Sequence, residues 1–144
     1  MTRPESDSAE VVRLAGTVPT GRSGPLRLGV IGVGHLGRIH ARLAGQLPDC
    51  QLVGVADPRA EAREAVAAET QTRPWANFLD LARHIDAAIV ATPTRTHLAV
   101  GLELASRGIH LLVEKPLTTT TAEATRLVAA CRRYGVTLQV GHVE

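Results

Sequence analysis

Three glycines spaced G-x-G-x-x-G follow a short apolar run near the start of the chain. The run covers Leu26 to Ile31, the glycines are Gly32, Gly34 and Gly37, and a helix-compatible segment comes next. A buried strand, a tight glycine turn and a helix N-terminus in this order form the pyrophosphate-binding turn of dinucleotide-binding domains. The same spacing also occurs in purely structural glycine turns, but the flanking strand and helix favour the dinucleotide interpretation.

An aspartate lies 20 positions beyond Gly37, directly after a second apolar segment over 51–56. A carboxylate at this point can accept the ribose hydroxyls of an adenosine and would repel a 2′-phosphate, so Asp57 favours NAD over NADP. Arg59 lies close enough in sequence that NADP remains an alternative cofactor. Because Pro58 follows it, Asp57 can alternatively cap the next helix, and one residue can do both.

Strand-like and helix-like segments alternate along the whole chain, with short connections. Strands are predicted over 26–31, 51–56, 72–75, 87–91, 109–113 and 136–140, and helices over 36–46, 59–69, 78–84, 96–106 and 122–134. This alternation predicts an α/β domain with a doubly wound, mostly parallel sheet of the Rossmann type and helices on both faces. Asn77 and Thr121 are the expected N-caps. Ile39, Leu43 and Leu47 are expected to form one apolar stripe.

Composition removes several classes of function. The net charge is only +2, aromatic residues make up 2% of the chain, and no basic run is present, so nucleic-acid binding is not expected. Neither a membrane-spanning stretch nor a secretory signal is found, which predicts a cytoplasmic protein without membrane contact. Cys50 and Cys131 match no metal or redox spacing and are expected to be reduced and partly buried. Residues 1–25 are predicted to be a disordered leader, and 26–144 the folded domain.

Two further loops follow predicted strands and should lie at the same edge of the sheet. One contains Thr92, Pro93 and His97. Its hydroxyl groups could contact a ribose, but the simpler interpretation is an ordinary loop followed by the start of a helix. The other begins at Glu114 and contains Lys115, the only lysine of the chain. A lysine ammonium in a cleft can exchange a proton with a substrate hydroxyl, although a lone lysine can also be an ordinary surface residue. The Lys-Pro bond after it is a candidate cis peptide.

These motifs together resemble the N-terminal half of the Gfo/Idh/MocA oxidoreductases, the glucose–fructose oxidoreductase and inositol 2-dehydrogenase family. The matching segments are Gly32-Val33-Gly34-His35-Leu36-Gly37 with His40, Val53-Gly54-Val55-Ala56-Asp57, Ala91-Thr92-Pro93 with His97, Val113-Glu114-Lys115-Pro116-Leu117 after Gly108, and Gly141-His142. The Glu-Lys-Pro loop, in its place after the Thr-Pro loop, is the specific part of the match.

The resemblance implies a role for each matching residue. The pyrophosphate would be held by Gly32, Gly34, His35, Leu36 and Gly37, and the adenosine ribose by Asp57. The nicotinamide half would be bordered by Thr92, Pro93 and His97, and its ribose and the substrate hydroxyl would be contacted by Glu114 and Lys115. Lys115 would assist proton transfer as the catalytic residue. His142 is a weaker candidate for substrate contact, or else a solvated histidine.

The resemblance also implies NAD as the cofactor, with NADP not excluded, and no metal. The reaction would be reversible hydride transfer between the nicotinamide and a carbinol of a sugar, cyclitol or nucleotide sugar. Family members carry a second α+β domain that supplies the substrate pocket and the oligomer interface. This chain is therefore expected to be the cofactor half of a homo-oligomeric enzyme, inactive by itself. Two alternatives are a non-catalytic NAD(P)-binding or sensing module and an S-adenosylmethionine methyltransferase, which shares the glycine loop.

Overall fold

The computed structural model describes residues 23–141 of the 144-residue chain. Within this range the strands are β1 (Leu26–Ile31), β2 (Cys50–Ala56), β3 (Arg73–Trp75), β4 (Ala87–Val90), β5 (His110–Glu114) and β6 (Leu138–Gly141). They form one sheet in the order β3-β2-β1-β4-β5-β6, and every neighbouring pair is parallel. This is the predicted doubly wound sheet. Most of the predicted leader and His142 lie outside the described residues.

The helices also follow the predicted order. They are α1 (His35–Ala44), α2 (Ala60–Thr70), α3 (Phe78–Ala82), α4 (His97–Ser106) and α5 (Thr121–Tyr134), with a 3₁₀ turn over Thr94–Thr96 before α4. Asn77 caps α3 as predicted, because its side chain accepts a hydrogen bond from the Leu79 N–H. The predicted cap of α5 is wrong by one residue. Thr120, in an extended conformation, accepts from the Glu123 N–H, and Thr121 is already helical.

Helices cover both faces of the sheet. Successive strand residues such as Val30 and Ile31 belong to different hydrophobic clusters, because side chains alternate between the two faces of a strand. One cluster joins the sheet to α1 and α2 through Ala41, Ala44, Val66 and Ala67. The other joins it to α3, α4 and α5 through Leu81, Leu104 and Leu127. The carboxyl ends of the central strands therefore lie between two helical layers, where the loops after them form a cleft.

The apolar stripe of α1 does not face the sheet. Ile39 is 39% exposed, Leu43 is 55% exposed and Leu47, just beyond the helix, is 51% exposed. The residues of α1 that are buried are small, namely Gly37, Ala41 and Ala44. Small residues let the helix axis approach the sheet closely, so the bulky stripe is left on the outside. The result is a helix N-terminus held tightly against the end of β1.

Candidate cofactor-binding site

A cleft of about 610 Å³ opens at the carboxyl ends of β1, β2 and β4. It brings together seven of the residues predicted for the cofactor: Gly32, Gly34, His35, Leu36, Asp57, Thr92 and Pro93. A second pocket of about 510 Å³ shares Gly32, Asp57, Thr92 and Pro93 with it and is also lined by Phe78 and Val100. Phe78 and Val100 carry no functional signal in the sequence, because an apolar side chain within a helix looks like ordinary core.

The glycine turn fits a bound pyrophosphate. Gly32 has a φ of +86°, and a Cβ atom there would lie 2.7 Å from the backbone of Ala91. A Cβ on Gly34 would meet only the Arg59 Nη2 atom, at 3.8 Å, so the space above Gly34 is open. Gly34 is also the N-cap of α1, where no side chain caps the helix and no acidic residue occupies the first turn. The first N–H groups of α1 and its positive dipole end are therefore available to an anion.

Asp57 lies beside this turn with its carboxylate almost fully engaged. Oδ2 accepts from the Val33 N–H at 3.0 Å, and Oδ1 accepts from the Arg59 N–H at 2.9 Å. The Arg59 guanidinium adds two bonds, from Nε to Oδ1 at 3.1 Å and from Nη2 to Oδ2 at 3.2 Å. The residue is 4% exposed. The bond to the Arg59 N–H organises the entry to α2, but the N-cap position itself is Arg59 rather than Asp57.

The carboxyl group of Asp57 is held in its ionised form. Burial by itself would raise its pKa, but hydrogen bonds from the Arg59 side chain and from the Val33 and Arg59 N–H groups outweigh that effect. The pKa therefore lies below its ordinary value of 3.8. A carboxylate with a lowered pKa beside an open turn is a suitable hydrogen-bond acceptor for the hydroxyls of a ribose.

His97 lies beneath the cleft rather than on its surface. Its ring is 1% exposed, with Nε2 2.8 Å from the Thr92 carbonyl oxygen. Nδ1 lies 3.1 Å from the carbonyl oxygens of both Pro116 and Leu117. Carbonyl oxygens only accept hydrogen bonds, so a ring nitrogen that carries a proton donates to the carbonyl oxygen it faces. His97 thus ties the Thr-Pro loop to the Glu-Lys-Pro loop.

Glu114 is also buried beneath the cleft, at 3% exposure. Its Oε1 atom contacts Nε2 of His40 on α1, and its Oε2 atom accepts from the Lys115 N–H at 3.3 Å. A Cβ on Gly141 would lie 2.9 Å from Oε1, so the end of β6 closes over the carboxylate. In the sequence, only the family resemblance points to His40. Its contact with Glu114 joins residues 74 positions apart and has no local sequence signal.

Lys115 differs from its neighbour in being exposed at the sheet edge. The Lys115–Pro116 peptide bond is cis, as the sequence predicted. Within residues 23–141 the Lys115 ammonium makes no ion pair. In the same part of the chain no helix is long or apolar enough to cross a bilayer, and no group of three or more His, Cys, Asp or Glu residues is placed to bind a metal.

The parallel sheet, the uncapped helix behind the glycine turn and the acidic residue after β2 define the class of protein, an NAD-binding Rossmann domain. A family model described as an oxidoreductase family with an NAD-binding Rossmann fold, Gfo/Idh/MocA, matches residues 26–142. The chain belongs to this family, which confirms the resemblance and NAD as the cofactor.

Three relatives illustrate the membership. UDP-N-acetylglucosamine 3-dehydrogenase of Acidithiobacillus ferrooxidans is 41% identical over 119 residues, which cover 83% of this chain and 37% of the relative. scyllo-Inositol 2-dehydrogenase (NAD(+)) of Bacillus subtilis is 36% identical over 123 residues, 83% of this chain and 36% of the relative. The structure of the WlbA dehydrogenase from Bordetella pertussis, in complex with NADH and UDP-GlcNAcA, is 32% identical with a TM-score of 0.76, and the match covers 81% of this chain and 37% of that one. This chain spans little more than a third of the length of these relatives.

Proposed function

We propose that this chain is the cofactor-binding part of an NAD-dependent dehydrogenase that acts on a carbinol group of a sugar, cyclitol or nucleotide sugar. The observation that carries the proposal is Lys115. Its ammonium is exposed, forms no ion pair within residues 23–141 and lies at the same sheet edge as an open pyrophosphate-binding turn. A module that only binds a dinucleotide needs no proton-exchanging group at that position.

Each part of the edge has a distinct task in this proposal. The first N–H groups of α1 and the glycine turn bind the pyrophosphate, and Asp57 accepts the adenosine ribose hydroxyls. The apolar pocket lined by Phe78 and Val100 adjoins Asp57 and suits the flat adenine ring. NAD supplies a carbon that accepts or returns hydride.

Lys115 supplies the proton step. As a neutral amine it takes the proton of the substrate hydroxyl while the carbinol carbon loses hydride. In the reverse direction the ammonium returns a proton to the new alkoxide oxygen. His97 and Glu114, which are both buried, support the loop from below. The residues of this chain would therefore bind and position the dinucleotide and move the proton.

The proposed substrate class follows from the relatives. Two of them are named for UDP-N-acetylglucosamine and scyllo-inositol, and the third was solved with UDP-GlcNAcA. All three names denote ring compounds that carry several secondary hydroxyl groups. Nucleotide sugars come first among the candidates, because the relative with the higher identity is a nucleotide-sugar dehydrogenase.

Two variants of Lys115 test the proposal. Lys115→Arg keeps the charge but cannot release a proton at neutral pH, whereas Lys115→Ala loses both. NAD binding to this chain is measured by calorimetry. Turnover is measured on the extended protein, as NADH formation with UDP-N-acetylglucosamine and with inositol, because the cofactor part alone is expected to be inactive. Both variants should bind NAD within about threefold of the native chain and lose turnover by at least about 100-fold.

The outcomes separate the alternatives. Undiminished turnover in both variants would remove Lys115 from the reaction. NAD binding without turnover in the extended protein would support the sensing module instead. Absence of NAD binding would contradict the proposal that this chain is a cofactor-binding domain.

A further inference from the structure

The carboxylate of Glu114 is enclosed, although the residue that follows it, Lys115, is exposed. Within residues 23–141, Oε1 of Glu114 contacts Nε2 of His40, and Oε2 accepts a hydrogen bond from the Lys115 N–H at 3.3 Å. The end of β6 lies over the same group, because a Cβ atom on Gly141 would lie 2.9 Å from Oε1 and 3.2 Å from Oε2. The carboxylate is therefore held between α1 and β6.

His40 is the stronger of the two partners of this carboxylate. A carboxylate oxygen accepts hydrogen bonds, so the His40 ring supplies the N–H, and its side chain is only 15% exposed. The bond from the Lys115 N–H is long by comparison. A buried carboxylate that loses its main donor is destabilised and turns towards water. Because Lys115 is the next residue in the chain, such a movement would displace it as well.

The helix that carries His40 also carries the proposed anion-binding end. α1 begins at His35, and His40 lies five residues further on, about 8 Å along the helix axis. His40 therefore connects Glu114 to a rigid element whose N-terminus faces the cleft. On the other side of Lys115, His97 contacts the carbonyl oxygens of Pro116 and Leu117. The backbone of the lysine loop is thus held by one histidine on each side.

We propose that His40 is a positioning residue for Lys115, which it holds through Glu114 at a fixed distance from the bound pyrophosphate. The inference rests on the dinucleotide site and on the role of Lys115 in the proposed function. His40 is not among the residues that line the two pockets at the sheet edge, so it acts through Glu114. The same helix then binds the cofactor at its N-terminus and positions the proton-exchanging group through its side.

Three substitutions of His40 separate positioning from packing. His40→Gln places an amide N–H near the position of Nε2 and can still donate to Glu114. His40→Asn is one bond shorter and does not reach the carboxylate, and His40→Leu has no donor. Arg42→Gln is the matched control, because Arg42 also joins α1 to a carboxylate, but to that of Glu69 on α2.

Lys115 can be observed directly because it is the only lysine of the chain. Reductive dimethylation with ¹³C-formaldehyde gives one lysine methyl signal in NMR spectra, separate from that of the N-terminal amine. Binding of NAD should shift this signal, because the nicotinamide ring lies beside the ammonium in the proposed site. The shift at saturating NAD should fall by about half or more in His40→Leu and His40→Asn. It should stay close to the native value in His40→Gln and in Arg42→Gln.

The affinity for NAD is measured by calorimetry on the same proteins. It should stay within about threefold of the native value in all four variants, because His40 does not line the pockets. Circular dichroism checks that each variant is folded. If His40→Leu does not fold, the comparison of His40→Asn with His40→Gln decides.

Two results would overturn the inference. One is an NAD-dependent shift of native size in His40→Asn and His40→Leu. The other is an equal loss of the shift in His40→Gln, which would mean that the packing of the ring matters and its hydrogen bond does not. Failure of the proposed function is distinguishable, because it is seen in the native chain as absence of NAD binding or as NAD binding without any shift of the Lys115 signal.

Discussion

Gly37 lies against the carbonyl oxygen of Gly32 so closely that a Cβ atom built on Gly37 would stand 1.7 Å from that oxygen. No side chain larger than hydrogen fits there without moving the backbone. The first turn of α1 is thereby packed directly onto the end of β1. This contact brings the uncapped N–H groups of the helix to the cleft, and so connects the spacing of the glycine motif with anion binding.

Two glycines of the motif should respond differently to the same substitution. Gly37→Ala should cost about 3 kcal/mol or more of unfolding free energy, because its methyl group overlaps the backbone of Gly32. Gly34→Ala should fold almost normally, because its φ is −69° and its methyl group enters open space. The pyrophosphate is proposed to bind in that space, so Gly34→Ala should lower the affinity for NAD by at least about tenfold.

Denaturant unfolding and calorimetry check the pair of glycine variants. A Gly34→Ala variant that binds NAD like the native chain would place the pyrophosphate elsewhere. A Gly37→Ala variant of native stability would mean that the turn can relax away from the helix.

His97 should matter for stability as well as for the cofactor loops. His97→Leu removes the buried ring that bridges the carbonyl oxygens of Thr92, Pro116 and Leu117, and these part-buried acceptors lose its hydrogen bonds. A loss of about 2–4 kcal/mol of unfolding free energy is expected. His97→Gln should lose less, since one amide can still donate at one end. Equal stability of His97→Leu and the native chain, measured by urea unfolding, would contradict this account.

Much of the fold could be predicted from the sequence because its signals are local. Apolar runs, helix-compatible segments and turn residues predict the order of the elements. Because the strands are parallel, the loops that follow them lie at one edge of the sheet. The outward position of Leu43 could not be predicted in this way. An apolar periodicity marks a stripe but does not say which partner it meets, and here Ala41 and Ala44 lie against the sheet instead.

The site was predictable to the extent that its residues follow strands. Asp57, Thr92 and Gly34 lie together as their positions indicated. The bonds of Asp57 to Arg59, and the burial of His97 and Glu114, depend on side-chain directions and on contacts between distant segments. Such contacts follow from packing and leave no spacing pattern in the sequence.

The end of β2 should lose stability at low pH, and Arg59 should determine the pH at which this loss occurs. The pKa of Asp57 is lowered in the folded state, so the stability it contributes is complete above its unfolded pKa and is lost as pH falls through the folded value. Arg59→Ala removes the main cause of the lowered pKa, so its acid unfolding midpoint should move to higher pH. Fluorescence of Trp75, whose carbonyl oxygen accepts from the Asp57 N–H, is a suitable probe. An unchanged midpoint would show that the two backbone donors suffice.

The two cysteines should differ sharply in reactivity. Cys131 has no exposed surface, and burial raises the pKa of its thiol to about 11, so almost no thiolate is present at neutral pH. Cys50, at the start of β2, is only partly buried. Ellman's reagent should therefore modify one thiol in the folded chain and both in denaturant, and peptide mapping should identify the first as Cys50. Rapid modification of Cys131 would mean that α5 opens from the sheet far more often than its packing predicts.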